Sequence, residues 1–139
     1  MTVRIATEDD FNIAYELAYK FSTEAYGKWM DPGHLMSLVI QLIQNPEKVF
    51  LLYEDKGFLA GTTHSFLLGP QKMAAELGWY VKPEARAEGV GKALIESFED
   101  WAKIMECKLI VMISLDDKVG EYYKKNGYDL YERTYMKEL

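Results

Sequence analysis

Arg86-Ala87-Glu88-Gly89-Val90-Gly91-Lys92-Ala93-Leu94-Ile95 is the stretch whose reading decides the fold. It follows a strand-like run, Ala75-Glu76-Leu77-Gly78-Trp79-Tyr80-Val81, and opens a strongly amphipathic helix. Val90, Leu94, Phe98, Trp101 and Met105 share one stripe of that helix, while Lys92, Glu96, Glu99 and Lys103 lie outside it. A glycine-rich turn between a strand and a helix leaves backbone N–H groups pointing outward at the positive end of a helix dipole, which suits a phosphate group. A bare G-x-G can equally serve only to turn the chain. A nucleotide P-loop would read G-x-x-x-x-G-K-[ST], and this stretch does not.

Working outward, Thr2 to Ala6 alternates as a short first strand. Thr7, three residues before Asp10, has the spacing of a capping box ahead of a helix carrying Ala14, Leu17, Ala18, Phe21 and Ala25, with Gly27 as its stop. Asp31-Pro32 opens a second helix whose stripe is Leu35, Leu38, Val39 and Leu42, ended by Asn45-Pro46. The period then shortens. Val49 to Tyr53 reads as a buried strand, Glu54-Asp55-Lys56-Gly57 as a hairpin turn, and Phe58 to Leu68 as the return strand with Gly61 at a bulge. Gly69-Pro70-Gln71 turns into a third strand, Met73 to Val81. After the glycine loop and its helix, Lys108 to Ile113 is a short buried strand, so strand, helix and strand form a parallel right-handed crossover. Asp117 caps a last helix ending at Asn126-Gly127, and Tyr128 to Met136 alternates as a final strand.

The larger pattern, Val81-x-Pro83-x-x-Arg86-x-x-Gly89-x-Gly91-x-Ala93-Leu94-Ile95, resembles the coenzyme A pyrophosphate loop of the GNAT N-acetyltransferase superfamily. Downstream, Tyr122-Tyr123-Lys124-Lys125-Asn126-Gly127-Tyr128 resembles that family's (F/Y)-Y-x-K-x-G-(F/Y) segment. The element order β-α-α-β-β-β-α-β-α-β, with the loop after the fourth strand, is also the family's. The resemblance therefore implies an α+β fold: one domain over 1–139 with a mixed, mostly antiparallel sheet flanked by helices.

The resemblance also implies acetyl-CoA as acyl donor and an N-acetyltransferase that moves the acetyl group directly to a primary amine of a small molecule or protein. The loop Arg86, Ala87, Glu88, Gly89, Val90, Gly91 and Lys92 would then hold the pyrophosphate, mainly through backbone amides. Ala87 and Glu88 depart from the glycine and basic residues common there, which weakens the positive field but leaves the amides. A backbone N–H in Trp79, Tyr80 and Val81 would polarise the thioester carbonyl. Asp116 stands where the family often has an asparagine on the pantetheine arm. Ionised, it accepts hydrogen bonds and does not donate them.

By motif position Tyr123 is the general acid beside the sulfur, its phenol protonated at neutral pH; the competing reading is a core tyrosine. An amine of pKa about 10.4 is mostly charged at pH 7, so a base helps. Glu76, on the fourth strand, is the candidate, although its offset looks one residue out of step, which would turn it to the wrong face unless a bulge restores it. Otherwise it is a solvated strand acid. His64 is a further titratable candidate, or a hydrogen-bonded surface residue. Tyr26 and Trp29, with Met30, fall where the family walls its acceptor site, and aromatic faces suit cationic amines. Ordinary packing or a dimer contact explains them as well.

Composition bounds the rest. The chain has 139 residues, 49% hydrophobic and 27% charged, and a formal net charge of −6. With no Lys/Arg cluster it does not read as a nucleic-acid binder, and acidity suits a small cationic partner or simply solubility. No apolar run approaches the roughly 20 residues of a membrane span, and the N-terminus lacks the build of a secretion signal. Cys107 is alone, so the expected setting is a reducing cytoplasm. One cysteine and two distant histidines make no metal site. A homodimer is left open. So are a non-catalytic acyl-CoA sensor or interaction module, a tRNA-acetylating toxin (disfavoured by the acidity) and a longer acyl group.

Overall fold

A computed structural model of the chain describes residues 2–139. Its elements in order are β1 (Arg4–Ile5), α1 (Phe11–Tyr26), α2 (Pro32–Gln44), β2 (Lys48–Tyr53), β3 (Gly57–Ser65), β4 (Lys72–Val81), α3 (Val90–Ile104), β5 (Leu109–Val111) and α4 (Asp117–Lys125). The sheet runs β1-β2-β3-β4-β5, antiparallel through β4 and parallel between β4 and β5. This is the α+β arrangement expected, with helices on both faces. Because both faces are covered, Val49, Phe50, Leu51 and Leu52 of β2 are all buried. Phe50 and Leu52 pack with Leu17, Val39 and Leu42 of α1 and α2, whereas Val49 and Leu51 pack with Leu94, Phe98 and Tyr123 on the other side.

Local chemistry sets most boundaries. The Asp31 carboxylate accepts the His34 N–H at 2.9 Å, with Pro32 in the first turn of α2. Gly27 (φ +53°) stops α1 and Gly127 (φ +91°) follows α4. Three expectations need correction. Leu38 is 40% exposed, since it lies about 100° round the helix from Val39, off the sheet-facing stripe. β3 ends at Ser65 because Phe66 N–H bonds to the Gln71 carbonyl at 2.8 Å and closes a turn, leaving Leu67 and Leu68 exposed. The final strand, Tyr128 to Met136, does not form: residues 128–139 join no strand, and 129–139 are all exposed. Alternation gives a segment two faces but no backbone partner, and a strand needs one. Among the described residues no helix is long and apolar enough to cross a membrane.

Candidate active site

The site begins with a fault in β4. Opposite β3, Ala60 faces Gly78 and Gly61 faces Glu76, so Leu77 is an extra, bulged residue. Without it, Glu76 and Trp79, three residues apart, would point to opposite faces. The bulge puts both into one small cavity of about 50 Å³, lined by Phe21, Tyr26, Glu76, Trp79, Ile113, Leu115, Val119 and Tyr123. Gly61 is small for a physical reason here, because a Cβ on it would lie 2.4 Å from the Phe98 ring. The apparent one-residue slip of Glu76 is thereby undone.

Glu76 is 4% exposed. Its Oε1 accepts the Ile113 N–H at 3.2 Å and lies 3.4 Å from the Tyr123 hydroxyl, which donates to the Ile113 carbonyl at 3.0 Å. Burial pushes the carboxyl up to about 7, against the opposing pull of the Ile113 and Tyr123 hydrogen bonds. Burial, then the charge of Glu76, raises the Tyr123 phenol well above its usual range. The two groups form one proton-sharing unit whose ionisations are linked. Near neutral pH its carboxyl can hold or release a proton, and its phenol keeps one.

The glycine loop follows the end of β4, the strand that carries Glu76. The N–H groups of Ala87, Gly89, Val90, Gly91 and Lys92 bond to no backbone oxygen among the described residues, and the first helical bond of α3 is Ala93 to Gly89 at 3.1 Å. These unpaired donors sit at the positive end of a 15-residue helix, an arrangement built for an anion. The two glycines are there for different reasons. Gly89 holds φ +79° with nothing within 4 Å of its would-be Cβ, so it needs left-handed backbone and keeps the space clear. Gly91 lets α3 approach β4, since a Cβ there would lie 2.9 Å from Trp79 Cζ2. Arg86 turns back to the strand: its Nε donates to the Val81 carbonyl at 2.9 Å and its guanidinium lies over the Tyr80 ring. Glu88 is held by Lys56 at 3.0 Å, and Lys92 is exposed.

Between these regions β4 and β5 part. Their pairing covers only Met73 to Ala75 against Leu109 to Val111. Lys82 N–H bonds to Lys56 across β3, so by alternation Trp79 and Val81 direct their backbone groups into the gap, and Tyr80 away from it. The Trp79 indole N–H is buried with no partner among the described residues.

The other predicted residues are more dispersed. Asp116, not Asp117, caps α4, its carboxylate accepting the Val119 N–H at 2.9 Å. His64 is exposed, bonded to the Ser65 carbonyl, and lines neither cavity. Tyr26 and Trp29 border an open hollow of about 330 Å³ with Ser22, Met30, Asp31, His34 and Leu35, and Tyr26 borders the inner cavity too. One face of Trp29 already carries Lys28, 5.0 Å from the ring centre. Burial raises the Cys107 thiol, so it stays protonated. Sequence reasoning missed Ile113, whose contribution is its backbone alone; no residue-type signal marks it.

Compared with known proteins, residues 10–128 match the family described as the acetyltransferase (GNAT) family. No curated protein matches the chain. Among solved structures it is similar to a probable acetyltransferase at 21% identity (TM-score 0.81, covering 100% of this chain and 98% of that one). It is similar to a transcriptional regulator from Bacillus halodurans C-125 at 17% identity (TM-score 0.81, 99% of each chain). It is also similar to the aminoglycoside N-acetyltransferase AAC(6')-Iy in complex with CoA, at 14% identity (TM-score 0.78, 99% of this chain and 93% of that one). At these identities the structural likeness speaks to the fold alone.

Proposed function

This chain belongs to the acetyltransferase (GNAT) family, and from that premise we propose that it transfers the acetyl group of acetyl-CoA directly to a primary amine. The observation that carries the proposal is the buried Glu76 carboxyl within reach of the Tyr123 hydroxyl, in a cavity next to unpaired loop amides. The pyrophosphate sits on the amides of Ala87 and residues 89–92, and the thioester lies in the gap between β4 and β5. The N–H of Trp79 or Val81 receives the carbonyl oxygen as charge develops on it. A cavity of about 50 Å³ favours acetyl over a long acyl chain.

The amine attacks in its neutral form. As the C–N bond forms and the C–S bond breaks, its N–H proton passes to the Glu76 carboxylate and the Tyr123 proton passes to the departing sulfur. Glu76 then returns its proton to the tyrosinate, leaving amide, free thiol and the original pair. A raised phenol pKa alone would make Tyr123 a reluctant donor; burial raises it most, and a neutralised Glu76 beside it removes the repulsion that adds to burial. The acceptor approaches through the hollow bordered by Tyr26 and Trp29, since Tyr26 also lines the inner cavity. A net charge of −6 favours an acceptor with further positive charge.

Mass spectrometry of products from purified protein, acetyl-CoA and a mixed amine library tests this. Acetylated amines are expected, and their rate of formation should fall by about 10²-fold in the double variant Glu76→Gln/Tyr123→Phe. Coenzyme A binding with no product from any amine would instead assign a sensor or interaction module.

A further inference from the structure

The anion cradle carries an anion of its own. Glu88 is the one acid in the loop over residues 86–92 and stands directly before Gly89, the N-cap of α3. Its neighbours Ala87 and Gly89 have N–H groups that bond to no backbone oxygen among the described residues. A carboxylate at that place is drawn to the positive end of the helix and to unpaired amides, the same donors a phosphate needs. Yet Glu88 Oε1 accepts a hydrogen bond from Lys56 Nζ at 3.0 Å, reaching it from the turn between β2 and β3.

That turn is fixed against the start of α3. The Lys56 N–H donates to the Tyr53 carbonyl at 3.0 Å, and the Lys56 carbonyl accepts the Lys82 N–H at 2.8 Å. Gly57 passes so close that a Cβ on it would lie 2.8 Å from the Tyr80 carbonyl oxygen and 3.2 Å from Cγ1 of Val90, the first residue of α3. The strands that aim the loop therefore also set the backbone of Lys56. The hydrogen bond to Glu88, and then its charge, raise the Lys56 ammonium above its usual range, so it stays charged at neutral pH. The other cations near the loop are engaged elsewhere: Lys82 lies 3.9 Å from Asp55, Arg86 3.9 Å from Glu24 and Lys92 3.9 Å from Glu96. With its side chains 36% and 50% exposed, the Lys56–Glu88 pair adds little to folding stability. What it contributes is the place where it keeps the carboxylate.

We propose that Lys56 is a positioning residue for coenzyme A: it holds the Glu88 carboxylate off the loop amides, so that the pyrophosphate meets them unoccupied. The inference rests on the reading of this loop as the pyrophosphate site. Without Lys56, the carboxylate turns back onto the N–H groups at the head of α3 and competes with the pyrophosphate, with the high effective concentration of a tethered group. Neither residue lines the cavity of Glu76 and Tyr123, so the pair acts on donor binding and not on the chemical step.

Calorimetric titration of coenzyme A into four proteins tests this, at about 150 mM salt, where charges more than about 8 Å apart are screened. Lys56→Met should weaken binding by about 5-fold, the scale of an anion at a helix N-terminus. In the Glu88→Gln background the same substitution should cost nothing measurable, because no carboxylate is left to hold. Glu88→Gln alone should bind at least as tightly as the wild type, and Lys56→Arg should bind like it. At saturating acetyl-CoA, kcat should be the same in all of them. Unchanged affinity in Lys56→Met would overturn the proposal. So would an equal loss from Lys56→Met in both backgrounds, which would make the lysine a direct phosphate contact. A wild-type protein that binds no coenzyme A would overturn the family reading of the loop and this inference with it, an outcome distinct from the other two.

Discussion

In the loop over residues 86–92 the chemistry sits in backbone N–H groups that are neighbours in sequence, whereas at Glu76 and Tyr123 it sits in side chains 47 residues apart. The loop needs left-handed backbone at one glycine, a helix start and open space. The pair needs a bulge, a parting of two strands, a helix cap and an Ile113 that offers only its peptide groups. Loop chemistry is local and tolerant of side chains, which is why Ala87 and Glu88 can stand where basic residues are commoner. Pair chemistry is non-local and depends on burial, which sets the carboxyl near 7. The contrast predicts that loop variants change affinity without changing pH behaviour, while pair variants do the reverse.

The largest effect is expected at Gly89. A β-branched residue at φ +79° is strained, and the loop must rearrange to relieve it. Losing alignment of two charge-assisted hydrogen bonds, each worth about 1.5–3 kcal/mol, predicts coenzyme A affinity roughly 10²- to 10⁴-fold weaker in Gly89→Val. Calorimetry on the folded variant checks it, and unchanged affinity would remove the loop from the site.

Next come Glu76→Gln and Tyr123→Phe, each expected to lower kcat by about 10²-fold with coenzyme A affinity unchanged. Acting as one unit, they should not add: the double variant should be little worse than either single one. The wild-type kcat/KM should rise with pH through about 7, as the carboxyl ionises, and Glu76→Gln should flatten that limb. Stability moves the other way. Folding raises this carboxyl from 4.5 to about 7, so between those values the folded chain holds more protons than the unfolded one. Its contribution to stability is greatest below 4.5 and falls as pH rises through 7, by on the order of 3 kcal/mol. Denaturant unfolding at pH 5 and pH 8 should show that fall in the wild type and not in Glu76→Gln.

Gly91→Ala separates the two glycines. Its Cβ meets the Trp79 ring at 2.9 Å rather than the phosphate space, so the expected result is a lower melting temperature, from about 1–3 kcal/mol of overpacking, with affinity changed less than in Gly89→Val. Equal losses of affinity in both variants would break the distinction. The smallest effect belongs to Tyr122→Phe. Among the described residues that hydroxyl is buried without a partner, so removing it should leave kcat unchanged and raise stability by a few tenths of a kcal/mol up to about 1 kcal/mol in thermal unfolding. Tyr123→Phe, by contrast, strands the Ile113 carbonyl and should cost about 1 kcal/mol.

Much of this was legible in the sequence because it is local. Helix starts at Asp31 and in the glycine loop, the αL stop at Gly127 and the short apolar run of β2 follow from residues within a turn or two of one another. So does the loop as an anion cradle, since spacing between a strand and a helix determines where amides point. Glu76 and Tyr123 could each be picked out singly, and the strand bulge that rescues Glu76 could be named but not located. Only the tertiary structure decided that Leu77 is the bulged residue, that Ile113 ties the carboxyl to the phenol, and that Gly91 serves packing against Trp79. Nor could sequence show that Asp116 caps α4 or that His64 lies exposed, since a cap bond and solvent exposure are set by where an element ends, not by residue type. The tail marks the boundary most clearly. Alternation from Tyr128 to Met136 determined a strand's two faces, but a strand exists only when another backbone lies about 4.8 Å away, and no sequence pattern supplies that neighbour.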